Sequence, residues 1–134
     1  MLVVAAALRR TDGRWLMHKR PQAAHHGGLW EFPGGKVESA ETPEIALVRE
    51  VEEELGISIE AADCMPAGFA QSQAETGRKA IVILLYTLEK WRGEPRALEG
   101  EGVGWFTPQE IEALDKPPLD IALAAQLFSR SRSD

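Results

Sequence analysis

Three glutamates, Glu50, Glu53 and Glu54, stand at i, i+3 and i+4, a spacing that on a helix makes their side chains neighbours on one exposed face. Like charges at that spacing destabilise a helix by about 0.2–0.5 kcal/mol per pair, and Glu54 adds negative charge near the C-terminal end, where the helix dipole already disfavours it. Carboxylates gathered against their own repulsion suit a hard divalent cation, Mg²⁺ or Mn²⁺, which keeps several waters and bridges to phosphate oxygens. A solvated acidic face has the same helical pattern. The surroundings are acidic too: Glu38, Glu41, Glu44 and Glu52 lie in the same stretch, and the 134 residues carry 21 Asp plus Glu against 15 Lys plus Arg, a formal net charge of −6. Such a balance argues against non-specific binding to nucleic-acid duplexes, which needs a basic stripe. Free nucleotides stay available, because a divalent cation neutralises carboxylates and phosphates together.

The elements that must hold these glutamates can be read from their punctuation. Thr42 caps a helix that begins with Pro43 and Glu44 and stops at Gly56, whose left-handed conformation suits a C-cap. Ile45, Leu47, Val48, Val51 and Leu55 form its expected apolar stripe, opposite Glu50, Glu53 and Glu54. Leu2 to Leu8 and Trp15 to His18 read as two strands joined by a tight Asp12-Gly13 turn. Arg20 to Gly28 is a loop, and Leu29 to Phe32 a short strand that runs into Pro33-Gly34-Gly35, where glycines let the backbone turn tightly and approach a metal or phosphate. Further strands are expected in Ile57 to Ala61, Gly68 to Gln71, Ala80 to Leu88 and Val103 to Phe106, with a polar loop from Trp91 to Gly102. Thr107-Pro108-Gln109-Glu110 is a capping box, and Leu119 to Phe128 a last helix before a charged, frayed tail. Strands interleaved with helices imply a mixed α/β sheet packed between helices.

The length fits one domain over residues 1–134, and the single Cys64 excludes a disulfide framework. No apolar run approaches the ~18 residues of a membrane span, so the chain reads as a cytoplasmic protein without membrane partners.

Gly35, Glu41, Arg49-Glu50-Val51, Glu53-Glu54 and Gly56-Ile57 follow one another in fixed spacing. That order resembles the Nudix box, Gly-x5-Glu-x7-Arg-Glu-U-x-Glu-Glu-x-Gly-U with U aliphatic, at every defined position. The run from Leu29 to Glu38, the loop containing Gly93-Glu94-Pro95, and Pro117-Pro118 are similar to the MutT-type branch. The resemblance implies the Nudix fold, an α/β/α sandwich with a mixed β-sheet and a loop–helix–loop catalytic motif. It also implies metal ligation by Glu50, Glu53, Glu54 and the carbonyl of Gly34, with Glu99 approaching from a loop. Arg49 would orient the glutamates, Glu41 would brace the loop, and Gly35 and Gly56 would be structural.

The implied reaction is Mg²⁺-dependent attack of water on a nucleoside triphosphate, giving the monophosphate and pyrophosphate, with Mn²⁺ able to substitute. Either Glu50 or Glu99 would take the water's proton. Phe32 would lie near the base, and Asp120 stands where the branch contacts the base edge. An ionised Asp accepts but does not donate, so Asp120 bears on which base is read. The order of expectation is 8-oxo-dGTP or similar damaged nucleotides first and CTP or dCTP second. Dinucleoside polyphosphate or nucleotide-sugar hydrolysis follows, and a catalytically silent nucleotide sensor is the competing class. Arg20 and Arg78 are candidate phosphate or sugar contacts, His25 and His26 read as solvated loop residues, and Asp120 doubles as a candidate N-cap. The oligomeric state, monomer or homodimer, is left open.

Overall fold

In the computed structural model, which describes residues 1–132, seven strands and three α-helices form two small sheets between helical layers. The strands are β1 (Leu2–Leu8), β2 (Trp15–Lys19), β3 (Trp30–Glu31), β4 (Gly34–Lys36), β5 (Met65–Gln71), β6 (Val82–Leu88) and β7 (Gly102–Phe106). The helices are α1 (Pro43–Leu55), α2 (Pro108–Ala113) and α3 (Pro118–Arg132). One sheet has the order β4-β1-β6-β5, with β1 and β6 parallel and the other pairs antiparallel. The other is the antiparallel set β3-β2-β7.

β1 is apolar throughout because both of its faces are covered, as expected for a strand buried on two sides. Val4, Ala6 and Leu8 join Leu47, Val51 and Leu55 of α1 in one core. Ala5 and Ala7 join Ile111 of α2 and Leu123, Leu127 and Phe128 of α3 in the other. The same two-residue alternation runs along β2, where Leu16 packs on the α1 side while Trp15 and Met17 pack on the α3 side. By that alternation the next residue, His18, points toward α1.

The mixed α/β sandwich agrees with the sequence reading, and several boundaries shift. The Asp12-Gly13 turn forms, with Gly13 at φ 85, yet it does not close an ordinary hairpin: apart from the isolated Arg9–Trp15 bridge, β1 and β2 enter different sheets. Each strand finds better-matched neighbours than the other, β1 beside β6 over its whole length and β2 beside β7. The stretch Ile57 to Ala61 makes only a bridge at Ser58 before a 3₁₀ turn at Ala61–Asp63. On α1, Thr42 caps as expected, its Oγ1 accepting from the Ile45 amide, and Gly56 closes the helix at φ 71. Ile45, however, is exposed, and Ala46 fills its place in the core. The final helix starts at Pro118 and runs to Arg132, beyond Phe128, so much of the expected frayed tail is helical; residues 133–134 of that tail lie outside the described residues. Among the described residues no helix is long and apolar enough to cross a membrane.

Candidate functional site

α1 delivers the three glutamates to different surroundings, which helix periodicity alone did not distinguish. Glu53 is 54% exposed at its side chain, with Oε2 3.5 Å from Arg49. Glu50 is half-buried, and its Oε1 accepts from Arg49 Nη1 at 2.8 Å. Glu54 is 8% exposed, so the expectation that it shares an exposed face is corrected. The reason is the end of the helix: the loop after β6 folds back on it, and the amides of Arg96 and Leu98 donate to the carbonyls of Leu55 and Glu54. Burial raises the Glu50 carboxyl's pKa against the pull of Arg49, and Glu99, itself exposed, lies near enough to add to the shift of both Glu50 and Glu54.

Arg49 organises the approach to α1. Its Nε and Nη2 donate to the two carboxylate oxygens of Glu41 at 2.8 and 2.9 Å, while Nη2 also donates to the Lys36 carbonyl. Glu41 in turn accepts from the Glu38 amide. The Arg49 guanidinium holds the Glu41 carboxyl down to about 2, so this brace stays charged through neutral pH. A bidentate arginine–carboxylate pair fixes direction as well as charge. It ties the loop before α1 to the helix.

The glycines of β4 serve close approach, and the expected tight turn there is corrected. Neither Gly34 nor Gly35 has positive φ; both lie in a strand paired with β1. A Cβ on Gly34 would fall 1.9 Å from the Val4 carbonyl oxygen, and one on Gly35 2.3 Å from the Glu50 carboxylate. The Gly34 backbone lies close to Glu54 and opposes the burial that raises its pKa.

Two residues that motif spacing did not single out complete the cluster. His18 and Glu31 are cross-strand partners on β2 and β3, on the face toward α1. His18 Nδ1 lies 3.3 Å from Glu31 Oε2 and 3.5 Å from Glu54 Oε1. The second distance is not accompanied by hydrogen-bond geometry, so among the described residues Glu54 Oε1 is buried with no hydrogen-bond partner, as is His18 Nε2. Burial, then Glu31, Glu50 and Glu99, push the Glu54 carboxyl up to about 8. The signal available beforehand was weak: one histidine in Trp-Leu-Met-His and one acid in Leu-Trp-Glu-Phe, both polar residues inside apolar strands.

A cavity of about 820 Å³ extends from Glu31, Gly34, Gly35 and Glu54 to Phe32 and Asp120. Its volume falls in the range of small-molecule sites. Arg20 and Arg78 line it, and so do His25 and His26, whose exposed rings lie 3.9 Å apart at its rim. Arg20 is already engaged, its Nη1 donating to Glu31 at 2.7 Å and its Nε to the His25 carbonyl.

Asp120 lies in the first turn of α3 at its third residue, so it is not the N-cap. Its Oδ2 accepts from the Phe32 amide at 3.0 Å. Burial pushes its carboxyl up to about 7 from an ordinary 3.8, with the Phe32 bond opposing the shift. A raised acid lowers stability as pH climbs from its unfolded to its folded pKa, because the unfolded chain ionises first. At 1.36 kcal/mol per unit, the ionised group costs at most ~4 kcal/mol above pH 7. Asp120→Asn keeps an acceptor for Phe32 and removes this penalty. We expect its melting temperature to match the wild type near pH 4 and exceed it at pH 8; thermal scans showing equal values at both pH values would contradict a neutral, buried Asp120.

Comparison with known proteins gives a consistent result. The NUDIX domain profile matches residues 1–127. A CTP pyrophosphohydrolase of Escherichia coli (strain K12) is 36% identical over 123 residues, covering 92% of this chain and 88% of that protein. An 8-oxo-dGTP diphosphatase of the same strain is 32% identical over 125 residues, covering 93% and 94%. The crystal structure of a MutT NUDIX hydrolase from Burkholderia pseudomallei superposes with a TM-score of 0.78 at 34% identity, covering 94% of this chain and 96% of that one.

Proposed function

The chain belongs to the NUDIX domain family, and from that membership we propose that the carboxylates of α1 serve a Mg²⁺-dependent hydrolase that splits nucleoside triphosphates into the monophosphate and pyrophosphate. It is a hydrolase of phosphoric anhydride bonds, as its relatives' names describe. One observation supports the metal reading most directly: near Glu31, Glu50 and Glu99, Glu54 Oε1 is buried with no hydrogen-bond partner among the described residues. Unpaired buried carboxylates are costly, and a divalent cation satisfies several at once. The oxygen-rich donor set fits such an ion, with Glu50, Glu53, Glu54, the Gly34 carbonyl and Glu99 as its ligands. When bound, the ion would neutralise phosphate charge and acidify a water.

The chain's own groups supply position and proton transfer. Arg49 sets the direction of Glu50 while tying the preceding loop through Glu41. Glu50, half-buried with a raised pKa, and Glu99, exposed on its loop, are the two groups available to take a proton from water. Gly35 leaves room for the Glu50 carboxylate against the strand. Arg78 and Arg20 line the same cavity as Glu54 and Phe32, where they would meet phosphate or sugar oxygens.

For the base, 8-oxo-dGTP or a similar damaged nucleotide is the first substrate and CTP or dCTP the second, following the activities in the names of the two E. coli relatives. Asp120 supports carrying both. With a pKa near 7 it donates a hydrogen bond when protonated and only accepts, as from a cytosine amino group, when ionised. Purified protein with Mg²⁺ should be assayed against 8-oxo-dGTP, dGTP, CTP, dCTP, a diadenosine polyphosphate and ADP-ribose. Pyrophosphate released selectively from 8-oxo-dGTP supports the first substrate, and selective turnover of cytidine nucleotides the second. Binding without turnover of any compound would overturn the enzymatic reading.

A further inference from the structure

We infer that His18 adds a nitrogen ligand to the metal cluster, so that His18 Nδ1, Glu31 Oε2 and Glu54 Oε1 form a cation position that prefers Mn²⁺, Co²⁺ or Zn²⁺ to Mg²⁺. This rests on the metal reading above and extends it to two residues outside the glutamate motif.

The three ligand atoms lie within 4.8 Å of one another. Ligand atoms about 2.1 Å from one metal and at right angles are about 3 Å apart, and opposite ones about 4.2 Å. The 3.3 and 3.5 Å separations from Nδ1 therefore need only small adjustments to enclose an ion. Charge also balances: two carboxylates and a neutral imidazole match a divalent cation. A core histidine with satisfied nitrogens would give no such reading. Here Nδ1 faces two carboxylates and makes one long hydrogen bond, Glu54 Oε1 beside it is buried with no hydrogen-bond partner among the described residues, and His18 is only 2% exposed.

The scaffold also fits this placement. β2 and β3 put His18 and Glu31 opposite each other, and α1 brings Glu54 across them. Arg20 fixes the far oxygen of Glu31 at 2.7 Å, leaving Oε2 directed to the histidine. Gly100 gives the ring its space, since a Cβ there would fall 2.3 Å from Nε2. Imidazole is a borderline ligand that suits later transition metals, whereas Mg²⁺ favours oxygen and water.

The test is electron spin-echo spectroscopy of the full chain loaded with Mn²⁺. The wild type should show modulation from a coordinated imidazole ¹⁴N. That signal should change to the ¹⁵N pattern when the protein is grown on [¹⁵N]histidine, persist in the His25→Ala/His26→Ala double variant, and vanish in His18→Gln. In parallel titrations His18→Gln should weaken Mn²⁺ and Co²⁺ binding about tenfold or more and Mg²⁺ binding less than about twofold, in line with the cost of altering groups close around a metal. If His18→Gln does not fold, the labelled wild type and the double variant still decide. Mn²⁺ bound without nitrogen modulation, or modulation lost in the double variant, overturns the role of His18 and leaves the glutamate site standing. No Mn²⁺ binding at all overturns both.

Discussion

Replacing Glu53 by Gln should lower kcat by about 10²–10³-fold under saturating Mg²⁺, the usual cost of removing one preorganised electrostatic group from such a site. The substitution should leave stability within about 0.5 kcal/mol, because the side chain is more than half exposed and pairs with Arg49 only at 3.5 Å. Glu54→Gln should cost a similar factor in kcat with a different stability signature. Its carboxyl is buried and pushed up to about 8, so at pH 7 the metal-free protein already holds it largely as the neutral acid, which glutamine resembles. The sign follows: the folded pKa is above the unfolded one, so the wild type loses stability as pH rises toward 8, and Glu54→Gln escapes that loss. Without metal the variant should melt at or above the wild type at pH 8, while with Mg²⁺ the wild type gains more. Steady-state assays and thermal scans with and without Mg²⁺ check both. Near-normal kcat in folded Glu53→Gln would remove it from the ligand set.

The adjacent glycines of β4 should fail in opposite ways. A Cβ on Gly35 meets the Glu50 carboxylate at 2.3 Å, the far end of a flexible side chain that can move aside. Gly35→Ala should therefore fold, with a stability change of about 1 kcal/mol, and lose about 10²-fold in kcat, since a displacement near 1 Å of a positioned group costs that much. A Cβ on Gly34 meets the Val4 carbonyl oxygen at 1.9 Å, in the backbone of the central strand β1. That atom cannot yield without separating β4 from β1. Gly34→Ala should therefore lose about 1–3 kcal/mol or more, as overpacking does, and show it in chemical denaturation. Equal stability for the two variants would contradict this assignment of strain.

Much of this was readable from local rules. Thr42, Pro43 and Gly56 delimit α1 because capping and left-handed C-caps are properties of a few consecutive residues. The Thr107–Glu110 capping box forms for the same reason. Arg49 reaches Glu50 on the same turn of the helix and Glu41 in the loop before it. Where the reading erred, the deciding partner was distant. Glu54 looked exposed on α1 until the 96–99 loop and β2 covered it, and Ile45 looked buried although it is exposed, with Ala46 in the core instead.

The one-dimensional pattern thus determined where the helices and most strands lie, which carboxylates could gather, and to which family the arrangement belongs. Three-dimensional packing decided which of those carboxylates lost water, that His18 and Glu31 would face Glu54 across the sheet, and that Asp120 would meet the Phe32 amide 88 positions away. Helix signals act over a turn or two, so they survive in the order of residues. Desolvation and cross-strand contact depend on segments far apart in the chain, and their effects on charge arise only once those segments are packed together.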